Sequence, residues 1–562
     1  MIGKNFIKIF GILNKSEKFF VFILFLLAIF CSILEFLSIS AILPLLQEFV
    51  GGFENSKILN NFDKFLEIKN LDNYNRFLIL IFILIFIFFI KNITFVINTY
   101  LSNYFAFQMR YRLLNELYEQ YLKKDYQFFL NKNSNELIRN RDTVSAIGLG
   151  ALIYLQIFNN FLLALSLIFA FILFIEIELV YTLVLFVSFL FSYYLFFKNK
   201  IEKISKKEQK NAFHEIKNFQ QTFKGIKEIL TSGKIIKFLT KYDDVTKKQK
   251  YMNITLSTIP EISRYFIEIL TVTVLCGAIL YVNYNTNNIS LVLGSLSIIF
   301  IISLRLFPIL NKILQLFQKL NVLHGKLKIF FEEFKTSKKL SRGKKKVFIK
   351  NFKKIELKNI NFKYNKNLKK NIINNLNLTI KKKQVLGISG KSGRGKSTLI
   401  DIILGLLKID SGKILIDGQN KKNYVISCNY ISQFDYLFDD SIINNISIFS
   451  SKNKINVKKI KSLLSIVELD KLINQLPNKL DTQVGEYGKN FSGGQMQRIS
   501  LIRSMYEESD LIVFDEPTNM LDKKSSIQIF KRIMDFLKNK KTIIIISHDK
   551  KILNFCDKVI NL

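Results

Sequence analysis

Six long apolar runs in the first 310 residues constrain the fold of this 562-residue chain more than any other feature. They lie at about 19–47, 77–108, 147–172, 179–197, 256–282 and 289–310. A bilayer crossing needs about 20 mostly apolar residues, and a single segment in lipid satisfies its backbone hydrogen bonds only as a helix. The runs therefore predict an all-α domain of six transmembrane helices, several of which are long enough to extend beyond the bilayer.

The charges of the connecting segments predict the orientation of this domain. Segments 109–145 and 198–254 are rich in lysine and arginine, whereas 48–76 is nearly balanced, 173–178 is acidic and 283–288 is uncharged. Positively charged loops stay on the cytoplasmic side of a membrane. Both termini are therefore expected in the cytoplasm, as parts of a multi-pass protein of a bacterial inner membrane.

Three loop segments carry further expectations. The segments Asp125–Phe129 and Gly225–Ile229 lie in the middle of the two basic loops, and we expect them to couple the membrane domain to a cytoplasmic domain; ordinary solvated loops are the alternative. In 51–76, apolar residues at helical spacing alternate with charged ones. This pattern predicts an amphipathic helix that lies at the membrane surface or packs on its own transmembrane helices.

Five charged residues fall within the apolar runs, where charge is costly and is often functional or paired. They are Glu35, Lys91, Arg264, Glu268 and Arg305. Arg264 and Glu268 are four residues apart and can pair on one helix face. We interpret the cations Lys91, Arg264 and Arg305 as candidates for binding an anionic substrate group such as a phosphate.

The last third of the chain has a different character, because residues 341–562 alternate short apolar runs with Lys and Asn, as a soluble α/β domain does. We predict a transmembrane domain at 1–335, a linker at 336–352 and an α/β nucleotide-binding domain at 353–562. The formal net charge is +38. This charge is scattered rather than arranged in a stripe along one helix, which argues against nucleic acid as a partner.

A phosphate-binding loop begins the chemistry of this second domain. The sequence GKSGRGKST at 390–398 follows an apolar strand at 385–389 and precedes a helix, which is the context in which a P-loop cradles phosphates. Lys396 would reach the β- and γ-phosphates of ATP, and the Ser397 hydroxyl would bind Mg²⁺. The residues expected around the nucleotide phosphates are Gly390, Ser392, Gly393, Gly395, Lys396, Ser397 and Thr398.

Five more positions complete the predicted ATP site. Asp515 and Glu516 end an apolar strand, where Asp515 would hold Mg²⁺ through water and Glu516 would act as the general base. His548 ends another apolar strand and would contact the γ-phosphate. Gln433 follows a third strand and would sense both Mg²⁺ and the attacking water. Tyr364 would stack on adenine, with a core aromatic as the alternative.

A glycine-rich pentapeptide, FSGGQ at 491–495, follows the P-loop by about 100 residues. With the motifs above it resembles the ATP-binding cassette (ABC) exporter family of half-transporters, in which the membrane domain comes first. The resemblance implies a homodimer, or occasionally a heterodimer, with ATP and Mg²⁺ bound. Each ATP would lie between the P-loop of one subunit and Ser492, Gly493, Gly494 and Gln495 of the other.

Within that family the chain resembles the bacterial flippases of protein glycosylation that carry lipid-linked oligosaccharides. The resemblance depends on the outer loop 53–68, on the run Ser303–Pro308, on Lys91 and Arg264, and on the lack of a peptidase domain before the first helix. It implies transfer of a polyprenyl-pyrophosphate-linked oligosaccharide from the cytoplasmic to the outer leaflet. The implied partners are membrane lipid and the glycan lipid itself.

Other functions stay open at this level. The cargo of an exporter could instead be a lipid of the lipid A type or a peptide. An ATP-gated channel or a regulatory subunit is a further alternative, but such proteins often lose residues equivalent to Glu516, His548, Ser492 and Gln495, all of which are present. Import is disfavoured because nothing in the sequence resembles a surface for an external binding protein.

Overall fold

The computed structural model describes residues 2–42, 73–132, 134–174, 177–285, 289–341, 346–364, 371–391, 393–421, 423–433, 436–448, 450–451 and 454–562. Contacts divide the chain into two compact units, one of residues 1–123 with 132–341 and the other of residues 124–131 with 342–562. Most of the predicted outer loop 51–76, including its expected amphipathic helix, lies outside the described residues.

All regular secondary structure in the described part of the first unit is helical. Its helices are α1 (Ile2–Phe10), α2 (Lys15–Ser40), α3 (Asn73–Leu122), α5 (Ser134–Phe174), α6 (Ile177–Lys224), α7 (Ile226–Thr231), α8 (Ile235–Asn285) and α9 (Ile289–Ser341). Five of the six predicted spans fall within one long helix each, namely α3, α5, α6, α8 and α9. The first span, 19–47, coincides with α2 as far as Ser40, and its residues 43–47 lie outside the described residues.

Four helical stretches of the described chain are long and apolar enough to cross a membrane: Lys15–Ser40, Leu78–Leu122, Glu136–Leu173 and Phe300–Leu323. The helices also exceed one crossing in length. Helix α3 has 50 residues. At about 1.5 Å per residue it is about 75 Å long, more than twice the hydrocarbon thickness of about 30 Å.

The core of this unit lies where α2, α3, α5 and α9 pack together. Leu24, Met109, Leu113, Ile147 and Leu327 are almost completely buried there. Other large apolar side chains of the same helices are exposed. Such an apolar exterior is unfavourable in water and suits a lipid environment.

The second unit contains three sheets in its described residues. Strands β11, β4, β10, β9 and β8 form a parallel sheet in that order, β3, β2, β5 and β6 form an antiparallel sheet, and β1 pairs with β7. The strands are β1 (Val347–Ile349), β2 (Lys354–Phe362), β3 (Ile373–Lys381), β4 (Val385–Ser389), β5 (Ser411–Ile416), β6 (Gln419–Asn420), β7 (Tyr424–Ile426), β8 (Cys428–Ile431), β9 (Leu511–Asp515), β10 (Thr542–Ile546) and β11 (Lys558–Asn561).

Helices pack on these sheets and enclose two apolar cores. They are α10 (Lys396–Ile403), α11 (Ile442–Ser447), α12 (Val457–Ile466), α13 (Asp470–Gln475), α14 (Gly493–Tyr506), α15 (Lys523–Leu537) and α16 (Lys550–Leu553). The short helix α4 (Tyr126–Asn131) groups with this unit but has no buried residue. Strands β9 and β10 are buried along their whole length, as the central strands of a parallel sheet covered on both faces are. The predicted fold class, a helical domain followed by an α/β domain, is confirmed.

The segment 124–131 groups with the second unit although it lies between two helices of the first. Within that unit, the carboxylate of Asp125 is 2.8 Å from Lys346 Nζ and 3.1 Å from Lys408 Nζ. Burial by itself would raise the pKa of Asp125, but hydrogen bonds and charge from the two lysines lower it below its ordinary value. The other predicted coupling segment forms α7, after Gly225, in the first unit.

Candidate functional site

The register of the parallel sheet aligns three strand ends. Ile546 of β10 pairs with Asp515 of β9 on one side and with Ile388 of β4 on the other. The residues that follow these strands are therefore neighbours at one edge of the sheet, although the end of β4 is more than 120 positions before that of β9 in the sequence. This edge is where the carboxyl ends of the strands meet, the usual place for a ligand in an α/β sheet.

The P-loop connects β4 to α10 through a backbone that favours glycine. Gly390, Gly393 and Gly395 have φ values of 150°, 78° and 88°. At Gly395 a Cβ atom would lie 2.7 Å from Ile372 Cγ2, so both conformation and space exclude a side chain. Ser392 lies outside the described residues.

Lys396 begins α10 and folds back over this loop. Its Nζ donates a hydrogen bond to the carbonyl oxygen of Gly390 at 2.6 Å and lies 2.9 Å from His548 Nε2. An ammonium group can donate three hydrogen bonds. The amine is thus held beside the loop that is expected to hold phosphates.

Asp515 is buried at the end of β9, where three neighbours act on its charge. Tyr430 Oη donates a hydrogen bond of 2.9 Å to Asp515 Oδ2. Burial raises the pKa of Asp515, against opposing effects of the Tyr430 hydrogen bond, the Lys396 charge and a hydrogen bond with the Ser397 side chain. Ser397 and Asp515 therefore lie together, and their oxygens are the hard ligands that Mg²⁺ prefers.

Glu516 has two unusual features. Its φ is +52°, which is uncommon for a residue other than glycine, and its side chain is nearly buried. Its Oε1 atom has no hydrogen-bond partner among the described residues and is 3.4 Å from His548 Nε2. Burial raises the pKa of Glu516, and the charges of His548 and Lys396 oppose this rise. A buried acceptor without a partner is costly and is suited to a group that must receive a proton.

The FSGGQ segment starts α14. Ser492 is the N-cap, and it forms a capping box with Gln495 through hydrogen bonds of 3.3 and 2.8 Å. A Cβ atom on Gly494 would lie 2.9 Å from the Met520 carbonyl oxygen, and one on Gly493 would lie 2.8 Å from Met520 Sδ. The two glycines therefore allow α14 to approach the loop that follows Glu516.

Tyr364 and Gln433 are placed less tightly. The Tyr364 ring is 45% exposed and packs edge-on against Phe362, and its hydroxyl is 3.1 Å from Thr398 Oγ1. The contact between the Tyr364 hydroxyl and Thr398 of α10 therefore holds an exposed aromatic ring beside this helix. Gln433 is exposed two residues after β8.

Two residues that the sequence reasoning did not single out support this site. Gln497 is fully buried, accepts a hydrogen bond from Met520 N at 3.1 Å and donates one to the Glu516 carbonyl oxygen at 3.4 Å. Tyr430 holds Asp515, as described above. The sequence offered one signal for each residue. Gln497 is a polar residue on the apolar face of a helix, and Tyr430 lies three positions before Gln433.

The charged residues in the membrane unit form a separate group. Glu35 of α2 is 2.9 Å from Lys91 Nζ of α3 and 2.7 Å from Arg305 Nη1 of α9. Ser38 Oγ is also 3.0 Å from Arg305 Nη1. We call these four residues the charge cluster. Arg264 lies in α8, and its side chain is outside the described part of the structure.

The comparisons with known proteins agree with this architecture. Residues 373–519 match the family model described as ABC transporter. A bacterial Atm1-family ABC exporter, solved with ATP bound, superimposes with a TM-score of 0.74 over 95% of this chain and 93% of that one, at 17% identity. The chain therefore has the fold of an ABC exporter half-transporter, and its second unit carries the ATP-binding domain of ABC transporters.

Relatives of known name match parts of the chain. The lipid A-core flippase of Salmonella typhimurium is 25% identical over 64% of this chain and 62% of its own length. The lacticin-481/lactococcin-DR transport/processing ATP-binding protein of Lactococcus lactis is 37% identical over 37% of this chain and 29% of its own length. The chain thus spans less than two thirds of the length of these relatives, whose names describe transport of different cargoes.

Proposed function

We propose that this protein is an ATP-driven exporter of the inner membrane, with a hydrolytic site at the edge formed by β4, β9 and β10. The observation that carries this proposal is the meeting of Lys396, Asp515, Glu516 and His548 at that edge. The exporter fold and the apolar helices of the first unit supply the membrane part. In this proposal the transmembrane domain is 1–335, the linker is 336–352 and the ATP-binding domain is 353–562.

The nucleotide fits the described residues. ATP would supply the transferable γ-phosphate. Its negative phosphates suit the backbone N–H groups of the glycine loop and the Lys396 amine, and the Mg²⁺ that accompanies it suits the oxygens of Ser397 and Asp515. In this proposal Lys396 binds phosphate oxygens after it leaves the Gly390 carbonyl. Tyr364 packs on adenine, and Thr398 supports the Tyr364 hydroxyl.

Glu516 is the proposed general base. Its unpartnered Oε1 receives the proton of the attacking water, and its raised pKa makes it a better proton acceptor than an ordinary carboxylate. His548 is a positioning residue, since its ring stands between Lys396 and Glu516 and can orient either. Gln433 completes the shell around the water and the metal ion.

A second copy of the chain would complete each site. Ser492, Gly493, Gly494 and Gln495 have described contacts with α14 itself and with the loop after Glu516, but none with the P-loop of their own chain. We propose that they cap the nucleotide of a partner subunit in a homodimer. The segment 124–131, held by Asp125, and the α7 segment would then transmit closure of the two ATP domains to the membrane helices.

The proposed cargo is a polyprenyl-pyrophosphate-linked oligosaccharide, moved from the cytoplasmic to the outer leaflet. Support comes from the similarity to lipid flippases and from the cations Lys91, Arg264 and Arg305 in the membrane helices. A lipid of the lipid A type is a second candidate because named relatives carry that cargo, and a peptide is a third for the same reason. Neighbouring glycosyltransferase genes would favour the first.

ATPase assays of the purified protein in lipid, with and without the glycan lipid, test the proposal. We expect the glycan lipid to change the rate and Glu516→Gln to lower it by about 10²–10⁴-fold, the usual contribution of a general base. Tyr506→Phe, a change remote from the strand ends, is the matched control. Glu516→Gln with full activity would refute the site, whereas a rate that responds to lipid A alone would change only the cargo.

A further inference from the structure

A cavity of about 940 Å³ opens in the membrane unit between α5, α8 and α9. Most of its lining comes from one face of α9, at positions three, four and seven residues apart, which is the spacing of a single helix face. From the first to the last of these positions, Phe300 to Lys319, the face is about 28 Å long at the α-helical rise. We call it the α9 groove.

The α9 groove changes character along its length. Its first part is apolar, with Phe300 and Leu304 exposed at 52% and 59% and Phe307 beyond them. Its last part is polar and cationic, with Lys312 and Lys319. An apolar stretch that ends in positive charge has the polarity of a membrane lipid with an anionic head group.

Polar groups at the cationic end of the α9 groove are available to bind an anion. Lys312 and Lys319 are exposed and form no ion pair with any described residue, and they lie about 10 Å apart along the helix. The Oδ1 atom of Asn311, between the two parts, is buried without a hydrogen-bond partner in the described chain. Glu268 of α8 also lines the cavity, so that two cations face one carboxylate.

The cations of the charge cluster, unlike those of the α9 groove, already have a carboxylate partner. Lys91 and Arg305 already share the carboxylate of Glu35, and Lys91 is almost completely buried. An anion that bound them would have to displace Glu35 from two short contacts. Lys312 and Lys319 would bind an anion without breaking any described ion pair.

We propose that the α9 groove binds one amphiphile with a phosphate head group, with the phosphate at Lys312 and Lys319 and the apolar chain along Phe300, Leu304 and Phe307. This inference rests on the proposed export of a lipid and names where its head group enters. Charge complementarity and the apolar-to-cationic order favour a phospholipid-like occupant over a second copy of the chain.

The absence of tryptophan from the sequence allows a direct test. Phe300→Trp places one fluorophore in the groove, and Phe82→Trp places one on an exposed site of α3 as the control. The full-length proteins are reconstituted in phosphatidylcholine vesicles that contain a small fraction of either phosphatidic acid or phosphatidylcholine with brominated chains. Bromine quenches tryptophan only at close range.

We expect the fluorophore of Phe300→Trp to report a preference of about 30-fold for brominated phosphatidic acid over brominated phosphatidylcholine, the scale of attraction that two lysines provide. Phe82→Trp should show no such preference. Lys312→Ala with Lys319→Ala should abolish it, and Arg at both positions should retain it. Lys326→Ala, a lysine of α9 outside the lining, should also retain it.

Three results would overturn the proposal. They are equal quenching by the two lipids, a preference that survives the double alanine change, and no quenching by either lipid, which would mean that protein fills the groove. The measurement uses no ATP. An active exporter that shows no preference for phosphatidic acid would therefore refute lipid binding in the groove and leave the proposed function intact. An inactive protein that shows this preference would support the groove and refute the proposed function.

Discussion

The charge cluster makes a sharp prediction because it contains two cations and one carboxylate. Glu35 is 5% exposed and contacts both Lys91 and Arg305, whose charged groups also lie 4.8 and 4.9 Å from the Phe88 ring. Removal of the carboxylate leaves two neighbouring cations without a counter-ion. Removal of one cation leaves a neutral pair. The two changes therefore have unequal costs.

We expect Glu35→Gln to destabilise the protein by about 3–5 kcal/mol, the cost of a buried pair that loses one partner. Lys91→Met should cost no more than about 1–2 kcal/mol, because one hydrogen-bonded contact is lost while the Glu35–Arg305 pair remains. Lys91→Met added to Glu35→Gln should recover part of the loss, since only one unpaired cation is then left. This non-additivity is the signature of direct coupling.

Thermal unfolding of the purified full-length proteins in detergent ranks these variants by stability. Glu119→Gln, which breaks an exposed ion pair between Glu119 of α3 and Lys123 just after this helix, is the matched control and should cost less than about 1 kcal/mol. The reasoning is refuted if Lys91→Met is as damaging as Glu35→Gln, or if the two changes add. Loss of transport in Lys91→Ala with normal stability would instead favour a role for Lys91 in binding substrate.

Three other predictions concern the ATP-binding domain. Gln497→Leu should lower stability by about 1–3 kcal/mol by leaving buried backbone groups unpaired, seen as a lower unfolding midpoint, and should slow ATP hydrolysis. Gly395→Ala should reduce ATP binding and thermal stability more than Gly393→Ala, since a Cβ atom meets Ile372 at the first position and open space at the second. Because the pKa of Asp125 is lowered in the folded protein, its ionised carboxylate stabilises the fold fully above the ordinary aspartate pKa of about 3.9. This stabilisation is lost as the pH falls through the lower pKa of the folded state. We expect Asp125→Asn to increase the amide hydrogen exchange of segment 124–131 at neutral pH.

Local sequence patterns were sufficient for the fold class and for placing the polar residues of the candidate site at the ends of buried strands. Long apolar runs permit little other than helices in lipid, and the strand–glycine loop–helix order at Lys396 permits few structures other than a P-loop. The carboxylates Asp515 and Glu516 and the ring of His548 were placed at strand ends by the same reasoning, because a buried apolar strand has to end where polar residues begin.

Only the tertiary structure decided which side chains act on one another. Glu35 was recognised as a charge within an apolar run, but its pairing with Lys91 and Arg305 joins three helices and has no signature at i±4 spacing. Tyr430 and Gln497 became visible as supports of Asp515 and of the loop after Glu516 only once strands and helices distant in sequence were packed together. The physical reason is that periodicity reports the environment along one element, whereas pairing depends on register and packing between elements, which the chain as a whole determines.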